Sequence, residues 1–243
     1  MIDLTDRQKA LLKAIIEEYI ESAEPIGSEV IERKYDLGVS PATIRIEMVR
    51  LTEAGFLKQP HTSAGRIPTS MGFRLYVSEL MKEKSLSVTA EVSIKEKLWQ
   101  ERYKTERLLK EAVSALASRC AMLGMAVDEE GLVYYAGAAN ILDWPEFYDI
   151  DVARYVLGLF DEDPRLKEII GRAQGVDPIH ILFGEDMEFE SLRPISFVFT
   201  KYNASDSKNG VLGVIGPARM NFSVVLPYVK YVRDLVTEAM IRS

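Results

Sequence analysis

The chain has 243 residues, of which 47% are hydrophobic and 28% charged, a composition that suits one or two packed globular cores and excludes a largely disordered protein. No apolar run approaches the roughly 20 residues of a membrane helix, and the first residues lack the pattern of a signal peptide, so we expect a cytoplasmic protein. One cysteine, Cys120, and two histidines offer no disulfide and no thiolate-rich zinc site. We therefore expect no metal and no cofactor.

The charge is distributed unevenly along the chain. The formal net charge is −7, yet the stretch from Arg33 to Arg74 carries seven basic residues against three acidic ones, a net charge of +4. Because a local basic surface attracts nucleic acid whatever the net charge of the whole chain, this stretch is the candidate for DNA contact. A polar segment follows it, and there we place the boundary between a first domain of residues 1–84 and a second domain of residues 85–243.

The first domain begins with two predicted helices. The segment Thr5-Asp6-Arg7-Gln8 has the spacing of a capping box, and apolar residues at helical intervals follow it. Pro25 ends this helix, and Ser28 is expected to cap a second, short helix that runs to about Lys34.

A third predicted helix follows a tight turn at residues 37–38. Ser40 is a favourable N-cap and Pro41 suits the first helical position, so we predict a helix from Pro41 to about Glu53 that stops at Gly55. This order of helix, short helix, turn and helix is typical of a helix-turn-helix motif.

A predicted hairpin and a fourth helix complete the first domain. Residues 56–59 and 66–68 have extended character and flank a turn-rich segment from Pro60 to Gly65, which predicts a wing beside the helix-turn-helix. Thr69 is then expected to cap a fourth helix. The first domain is therefore predicted to be a winged helix-turn-helix.

The third helix should present one face to DNA. At about 100° per residue, its core face is formed by three apolar residues: Ile44, Met48 and Leu51. A recognition helix offers arginine to guanine and small or apolar groups to the thymine methyl, so Thr43, Arg45 and Ile46 are the candidate base-contacting residues. The DNA-binding residues predicted at this helix are Ser40, Pro41, Ala42, Thr43, Arg45, Ile46 and Arg50.

The wing supplies the remaining predicted contacts. Gly65 permits close approach of the backbone, while hydroxyls, amides and the charge of Arg66 are suited to phosphates or the minor groove. His61 lies far in sequence from His180, which favours a hydrogen bond in the wing or to DNA over a role as base or ligand. The predicted wing contacts are His61, Thr62, Ser63, Gly65 and Arg66.

The second domain is predicted to be α+β. A long helix of about residues 91–123 carries an apolar stripe, which would serve as core or as a dimer seam. Extended runs are predicted at Leu132–Ala136, Ile179–Phe183, Ser196–Tyr202 and Val211–Ile215. Helices are predicted near Val152–Phe160, Pro164–Gln174 and Phe222–Ile241. These elements predict a small sheet packed with helices.

Four segments resemble the HrcA family of heat-inducible transcription repressors. In the first domain these are VSPATIR at residues 39–45 and QPHTSAGRIPT at residues 59–69. In the second domain, GAANIL at residues 137–142 with PEF at 145–147, and GVIGPARMNF at residues 213–222, resemble the family's C-terminal motifs in the same order. The resemblance covers nearly the whole chain.

The resemblance implies a homodimeric repressor that binds an inverted-repeat operator of chaperonin and chaperone genes and is kept active by the chaperonin. It also implies a GAF-like domain after the winged helix, interrupted in family members by an inserted dimerising domain. This chain is shorter than typical members, so we expect a reduced GAF-like domain without the insert and without part of the sheet. The family pattern has asparagine where this chain has Ile46, which predicts an altered operator.

Two other functional classes, an enzyme and a ligand-responsive regulator, are alternatives to a repressor. An enzyme is disfavoured, because Gly210, Gly213 and Gly216 lack the spacing of a dinucleotide-binding loop and follow no β-α-β pattern. A winged-helix regulator that responds to a small molecule stays open, because GAF-like domains often bind ligands.

Overall fold

A computed structural model of the chain describes residues 4–161, 164–172, 178–187, 189–205 and 208–242. The protein is α+β, as predicted, and divides into two compact units, Met1–Lys82 and Glu83–Ser243. Within these described ranges, every helix is too short or too polar to cross a membrane.

The first unit contains four helices and a short hairpin among its described residues. Its elements are α1 (Asp6–Ser22), α2 (Ser28–Lys34), α3 (Pro41–Glu53), β1 (Leu57–Lys58), β2 (Ile67–Pro68) and α4 (Ser70–Leu75), which continues as a π-helical turn over Tyr76–Leu80. The predicted capping box at Thr5 is confirmed, since the side chains of Thr5 and Gln8 each accept a hydrogen bond from the other's backbone N–H. Gly38 and Gly55 have φ of +65° and +83° at the two turns around α3, a conformation that glycine adopts without strain.

One prediction for this unit is wrong. Ser28 is the first residue of α2 and not its cap, because Gly27 occupies the N-cap position and makes no side-chain hydrogen bond there. The Ser28 side chain is buried and accepts a hydrogen bond from Arg45. The tertiary contact with α3 therefore takes the hydroxyl that local sequence assigned to capping.

The core of the first unit fixes the rotation of α3. Ile44 and Leu51 are buried to within 1% of their surface and pack with apolar residues of α1 and α2. Burying each such side chain contributes about 1.5–3 kcal/mol, so the helix has little freedom to turn another face inward. The predicted core face of α3 is confirmed.

The second unit contains a five-stranded antiparallel sheet with strand order β4-β3-β7-β6-β5. Its strands are β3 (Leu123–Asp128), β4 (Val133–Ala136), β5 (His180–Phe183), β6 (Ile195–Ser205) and β7 (Lys208–Pro217). Its helices are α5 (Val88–Gln100), α6 (Thr105–Cys120), α7 (Ile150–Gly158), α8 (Pro164–Gly171) and α9 (Phe222–Ile241). The predicted strands and later helices have counterparts here, although Gln174 of the helix predicted to end there lies outside the described residues.

The predicted long helix of residues 91–123 is wrong in two respects. It is two helices, α5 and α6, with a break at residues 101–104, where a polar Glu-Arg-Tyr-Lys segment interrupts the apolar stripe. It also ends at Cys120, because Ala121 adopts a left-handed conformation and β3 begins at Leu123. Five of the six residues of β3 are buried, so this strand lacks the alternation that distinguishes a strand from a buried helix in sequence.

Both faces of the sheet are covered by helices. Leu123, Met125 and Val127 pack into a core with α7 and α8, whereas the alternate residues of β3 lie on the face where α6 packs. The apolar stripe of α6 is buried within one copy of the chain, as is Cys120. The stripe is therefore core, and the alternative of a dimer seam along it is excluded.

Candidate nucleic-acid interface

The solvent-exposed face of α3 is the centre of the candidate site. Ile46 is 54% exposed, whereas Ile44 two residues earlier is 1% exposed. An isoleucine that keeps 54% of its surface in water stabilises the fold much less than a buried one, because that apolar surface is not removed from solvent. Arg45 and Arg50 are exposed on the same helix, so this face offers apolar and cationic groups together.

The start of α3 is held by its cap. The Ser40 side chain accepts a hydrogen bond from the backbone N–H of Thr43 at 3.3 Å, and the two hydroxyls lie 3.1 Å apart. Pro41 is the first helical residue and Ala42 is exposed. This first turn is therefore rigid, with Ala42 as its outward side chain.

Arg45 is positioned by α2. Its Nε donates to the Ser28 hydroxyl at 3.1 Å, and its Nη2 lies 3.6 Å from a carboxylate oxygen of Glu29. The side chain remains 68% exposed, so the terminal nitrogens keep donors available to solvent. Sequence reasoning missed both partners, because it assigned Ser28 to the cap of α2 and Glu29 carries no motif signal.

Arg50 belongs to a cluster around a buried carboxylate. Glu47 is 2% exposed and accepts hydrogen bonds from Arg50 at 3.0 Å, Arg7 at 3.0 Å and Gln8 at 2.9 Å. Burial alone would raise the pKa of Glu47, but the hydrogen bonds from Gln8 and Arg7 and the charge of Arg50 outweigh burial and lower it. This cluster joins α1 to α3 and compensates the acidic charge on the candidate interface. Its only sequence signal is a carboxylate on the apolar face of a helix.

The hairpin connection is ordered by its own side chains. Leu57 pairs with Pro68 and Lys58 with Ile67 in the two strands. The Gln59 amide donates to the carbonyls of Thr62 at 3.0 Å and Ala64 at 2.9 Å, and the His61 ring lies 3.2 Å from the Ser63 hydroxyl. The exposed groups of His61, Thr62 and Ser63 are therefore presented from a fixed loop.

The base of the hairpin is tied to the helices. Ile26 and Arg66 form an isolated β-bridge, and a Cβ on Gly65 would lie 2.5 Å from the Ile26 carbonyl. Glycine is thus required at residue 65 by the Ile26 backbone. Arg66 Nε donates to the Thr52 hydroxyl on α3 at 3.1 Å, so Arg66 joins the hairpin to α3.

A groove of about 600 Å³ lies between α2, α3 and the hairpin. It brings together five of the predicted DNA-binding residues: Arg45, Thr62, Ser63, Gly65 and Arg66. The other seven are not among its lining residues: Ser40, Pro41, Ala42, Thr43, Ile46, Arg50 and His61. Val49, which is 44% exposed, also lines it and was not predicted.

The family-like motifs of the second unit supply side-chain bonds that hold its segments together, and we call these bonds the frame of the unit. Arg219 and Glu146 form a two-point ion pair, with Nε–Oε1 at 2.6 Å and Nη2–Oε2 at 3.2 Å, and Arg219 is 5% exposed. The Asn140 amide donates to the carbonyls of Ala117 and Met122 where α6 passes into β3. The Trp144 indole donates to the carbonyl of Ala121 at 3.0 Å.

Comparisons with known proteins agree with these motifs. Residues 69–226 match the family model of the HrcA protein C terminal domain. The heat-inducible transcription repressor HrcA of Acetivibrio thermocellus is 28% identical, with 97% of this chain and 96% of that protein covered. The protein of the same name from Syntrophobacter fumaroxidans is 26% identical, with 99% and 98% covered. A crystal structure described as that of a hypothetical protein has the same fold, with a TM-score of 0.80, 19% identity and 99% of each chain covered.

The class defined by these relatives is that of transcription repressors. The chain belongs to the HrcA family. Its alignment with the Acetivibrio protein extends over 336 positions, although the chain has 243 residues. More than ninety positions of that relative therefore have no counterpart here, and because both chains are aligned almost throughout, the difference is internal.

Proposed function

We propose that the chain is a cytoplasmic repressor of heat-shock genes whose first unit, a winged helix-turn-helix, binds double-stranded DNA. The observation that carries this proposal is the exposed face of α3, where Ile46 and Arg45 lie in solvent and Arg45 lines the groove between α3 and the hairpin. Membership of a family named for transcription repression supports it.

The side chains divide into two roles. Arg45 contacts a guanine in the major groove and Ile46 a thymine methyl, because these are the partners that match an arginine fork and an apolar group. Thr62, Ser63 and Arg66 contact phosphates from the hairpin, which adds affinity without sequence preference. The bonds that Arg45 and Arg66 donate to the Ser28 and Thr52 hydroxyls favour this division, since they limit each guanidinium to a narrow range of directions.

The operator is an inverted repeat bound by a homodimer. Two-fold symmetric sites require two recognition helices at a fixed separation. The second unit, as a reduced GAF-like domain, carries dimerisation and regulation. Sedimentation of the full chain at micromolar concentration should give twice the mass of 27.4 kDa, and a single 27.4 kDa species with and without operator would contradict the dimer.

The chaperonin is proposed to raise the fraction of active repressor, and this part depends on the family resemblance alone. Refolding the chain with purified chaperonin and ATP should increase the fraction that binds operator. An unchanged active fraction would remove the chaperonin from the proposal and leave DNA binding untouched.

Selection from randomised duplexes tests the proposal as a whole. The full chain should enrich an inverted repeat whose half-sites are separated by whole helical turns. Recovery of sequences without a shared motif would contradict sequence-specific binding.

A further inference from the structure

A second candidate site lies in the second unit, at the end of the sheet where β3 turns into β4. It is a cavity of about 280 Å³ whose lining includes four acidic side chains: Glu106, Asp128, Glu129 and Glu130. Two tyrosines, Tyr134 and Tyr202, and two apolar residues, Leu132 and Met240, also line it. Acidic residues alone do not define a site, so the argument depends on Tyr202.

Tyr202 reaches the cavity across a glycine. The strand registers place Tyr202 of β6 opposite Gly210 of β7, and Gly210 opposite Asp128 of β3. A Cβ on Gly210 would lie 2.5 Å from the Tyr202 hydroxyl oxygen. Because residue 210 has no side chain, the tyrosine ring can lie over the middle strand with its hydroxyl directed toward the acidic end.

The Tyr202 hydroxyl is buried without a partner. The residue is 1% exposed, and its oxygen makes no hydrogen bond within the part of the chain that the structure describes. A buried hydroxyl without a partner costs about 1–3 kcal/mol, and phenylalanine would fill the same space without that cost. Tyr134 beside it is satisfied, since its hydroxyl donates to Asp128 at 2.9 Å.

The electrostatics of the cavity favour a cation. Burial, the hydrogen bond to Asp128 and the charges of Asp128, Glu106 and Glu130 together raise the pKa of Tyr134 to about 12. Burial also raises the pKa of Tyr202, with the charge of Asp128 adding to the effect. Lys110 compensates part of this charge by pairing with Glu106 at 2.5 Å, and the Lys167 ammonium lies beside the Gly131 backbone at the rim, where Glu129 and Glu130 are exposed.

We propose that this cavity binds a small protonated alkylamine. The ammonium group donates to the Tyr202 oxygen and to the carboxylates, and it lies against tyrosine rings, which attract cations. Leu132 and Met240 cover the alkyl chain. The two rings and the apolar wall favour an organic cation over a bare metal ion, whose ligands would be oxygens alone. This site is independent of DNA binding, since all its residues belong to the second unit.

Calorimetric titration of the full chain with putrescine tests the proposal. The expected result is saturable binding at one site per chain, with no heat from butanediol, which has the same length and no charge. A titration with calcium chloride tests whether the same site binds a metal ion instead. Absence of saturable binding of putrescine at millimolar concentration overturns the proposal, as does calcium binding that excludes putrescine from the same site.

Three variants locate the bound amine. Tyr202→Phe and Glu130→Gln should each weaken putrescine binding, the first about tenfold or more, because a hydrogen bond to a charged group is lost. Tyr155→Phe is the matched control, since Tyr155 also has a buried hydroxyl without a partner among the described residues but does not line the cavity; its affinity should stay within twofold of the unmodified chain. Equal affinities for the unmodified chain, Tyr202→Phe and Glu130→Gln would overturn the assignment.

Discussion

Arginines from the family-like motifs have opposite environments in the two units. At α3, Arg45 keeps 68% of its side-chain surface in solvent and makes only peripheral bonds to α2. In the second unit, Arg219 is 5% exposed and its guanidinium is held at two points by Glu146. A motif residue that identifies the family is therefore exposed to solvent in one place and part of the buried frame in another. Exposure and bonding, not the motif, distinguish the two.

Breaking the frame should have the largest effect. Glu146→Ala leaves Arg219 buried without its carboxylate, and loss of one partner of a buried ion pair costs about 3–5 kcal/mol. The free energy of unfolding by denaturant measures this loss. Glu190→Ala is the control, because its pair with Arg193 is exposed and should contribute less than about 1 kcal/mol. Equal losses in the two variants would show that the Glu146 pair is not part of the frame.

The carboxylate beneath the candidate interface should come next. Glu47→Gln keeps the shape of the side chain but removes the charge that Arg7, Gln8 and Arg50 surround, which should cost about 2 kcal/mol. Glu53→Gln on the same helix is exposed and should change the stability of the first unit by less than about 0.5 kcal/mol. A Glu47→Gln variant as stable as Glu53→Gln would contradict the role assigned to the cluster.

The same cluster gives a defined pH dependence. The pKa of Glu47 is lower in the folded protein than its ordinary value of 4.5, so the folded state binds fewer protons there than the unfolded chain. The contribution of the Glu47 charge to the stability of the fold is complete at pH values above the ordinary pKa. It is lost as the pH falls through the lowered pKa of the folded protein. The stability difference between the unmodified chain and Glu47→Gln should therefore shrink on acidification. A constant difference would contradict the lowered pKa.

Ile46 should affect specificity more than stability. Ile46→Asn replaces an apolar contact by a group that can donate to and accept from adenine, which should shift the preferred base pair in each half-site by about 1–3 kcal/mol. Selection from randomised duplexes measures the preference. Val88→Asn, at an apolar residue that is 75% exposed in the second unit, should leave it unchanged. Identical sites for the unmodified chain and Ile46→Asn would show that residue 46 does not contact bases.

The smallest expected effect concerns Tyr202. Tyr202→Phe removes a buried hydroxyl that lacks a partner within the described chain, so thermal unfolding should show a gain of about 1 kcal/mol. Tyr134→Phe removes a hydroxyl that donates to Asp128 and should show a loss. A loss in both variants would indicate that the Tyr202 hydroxyl supports the fold.

Local signals account for what could be predicted from the sequence. The capping box at Thr5, the cap and proline at the start of α3, and the core face of that helix follow from interactions within a few residues. The order of the later strands and helices follows from runs with strand or helix periodicity. These features need no knowledge of which elements pack together.

The remainder depends on contacts distant in sequence. Ser28 has the properties of a cap but is bound by Arg45, seventeen positions later. Glu47 is stabilised from α1, some forty residues earlier. The strand β3 could not be recognised in the sequence because both its faces are buried. The Tyr202 cavity could not be predicted because it requires three strands in register. The charge count of the stretch around α3 predicts a basic surface without reference to these partners.

The central claim is that α3 contacts bases through Arg45, and a comparison of matched arginine variants tests it most directly. Arg154 resembles Arg45 in exposure, at 70%, and in pairing with a carboxylate, Asp151, but it lies in the second unit. Titrated against the selected operator and a random duplex, Arg45→Ala should lose about 1–3 kcal/mol on the operator and little on the random duplex. Arg66→Ala should lose affinity for both duplexes alike, with a salt dependence lowered by about one unit, and Arg154→Ala should match the unmodified chain. The claim would be contradicted if Arg45→Ala bound each of the two duplexes as tightly as Arg154→Ala does.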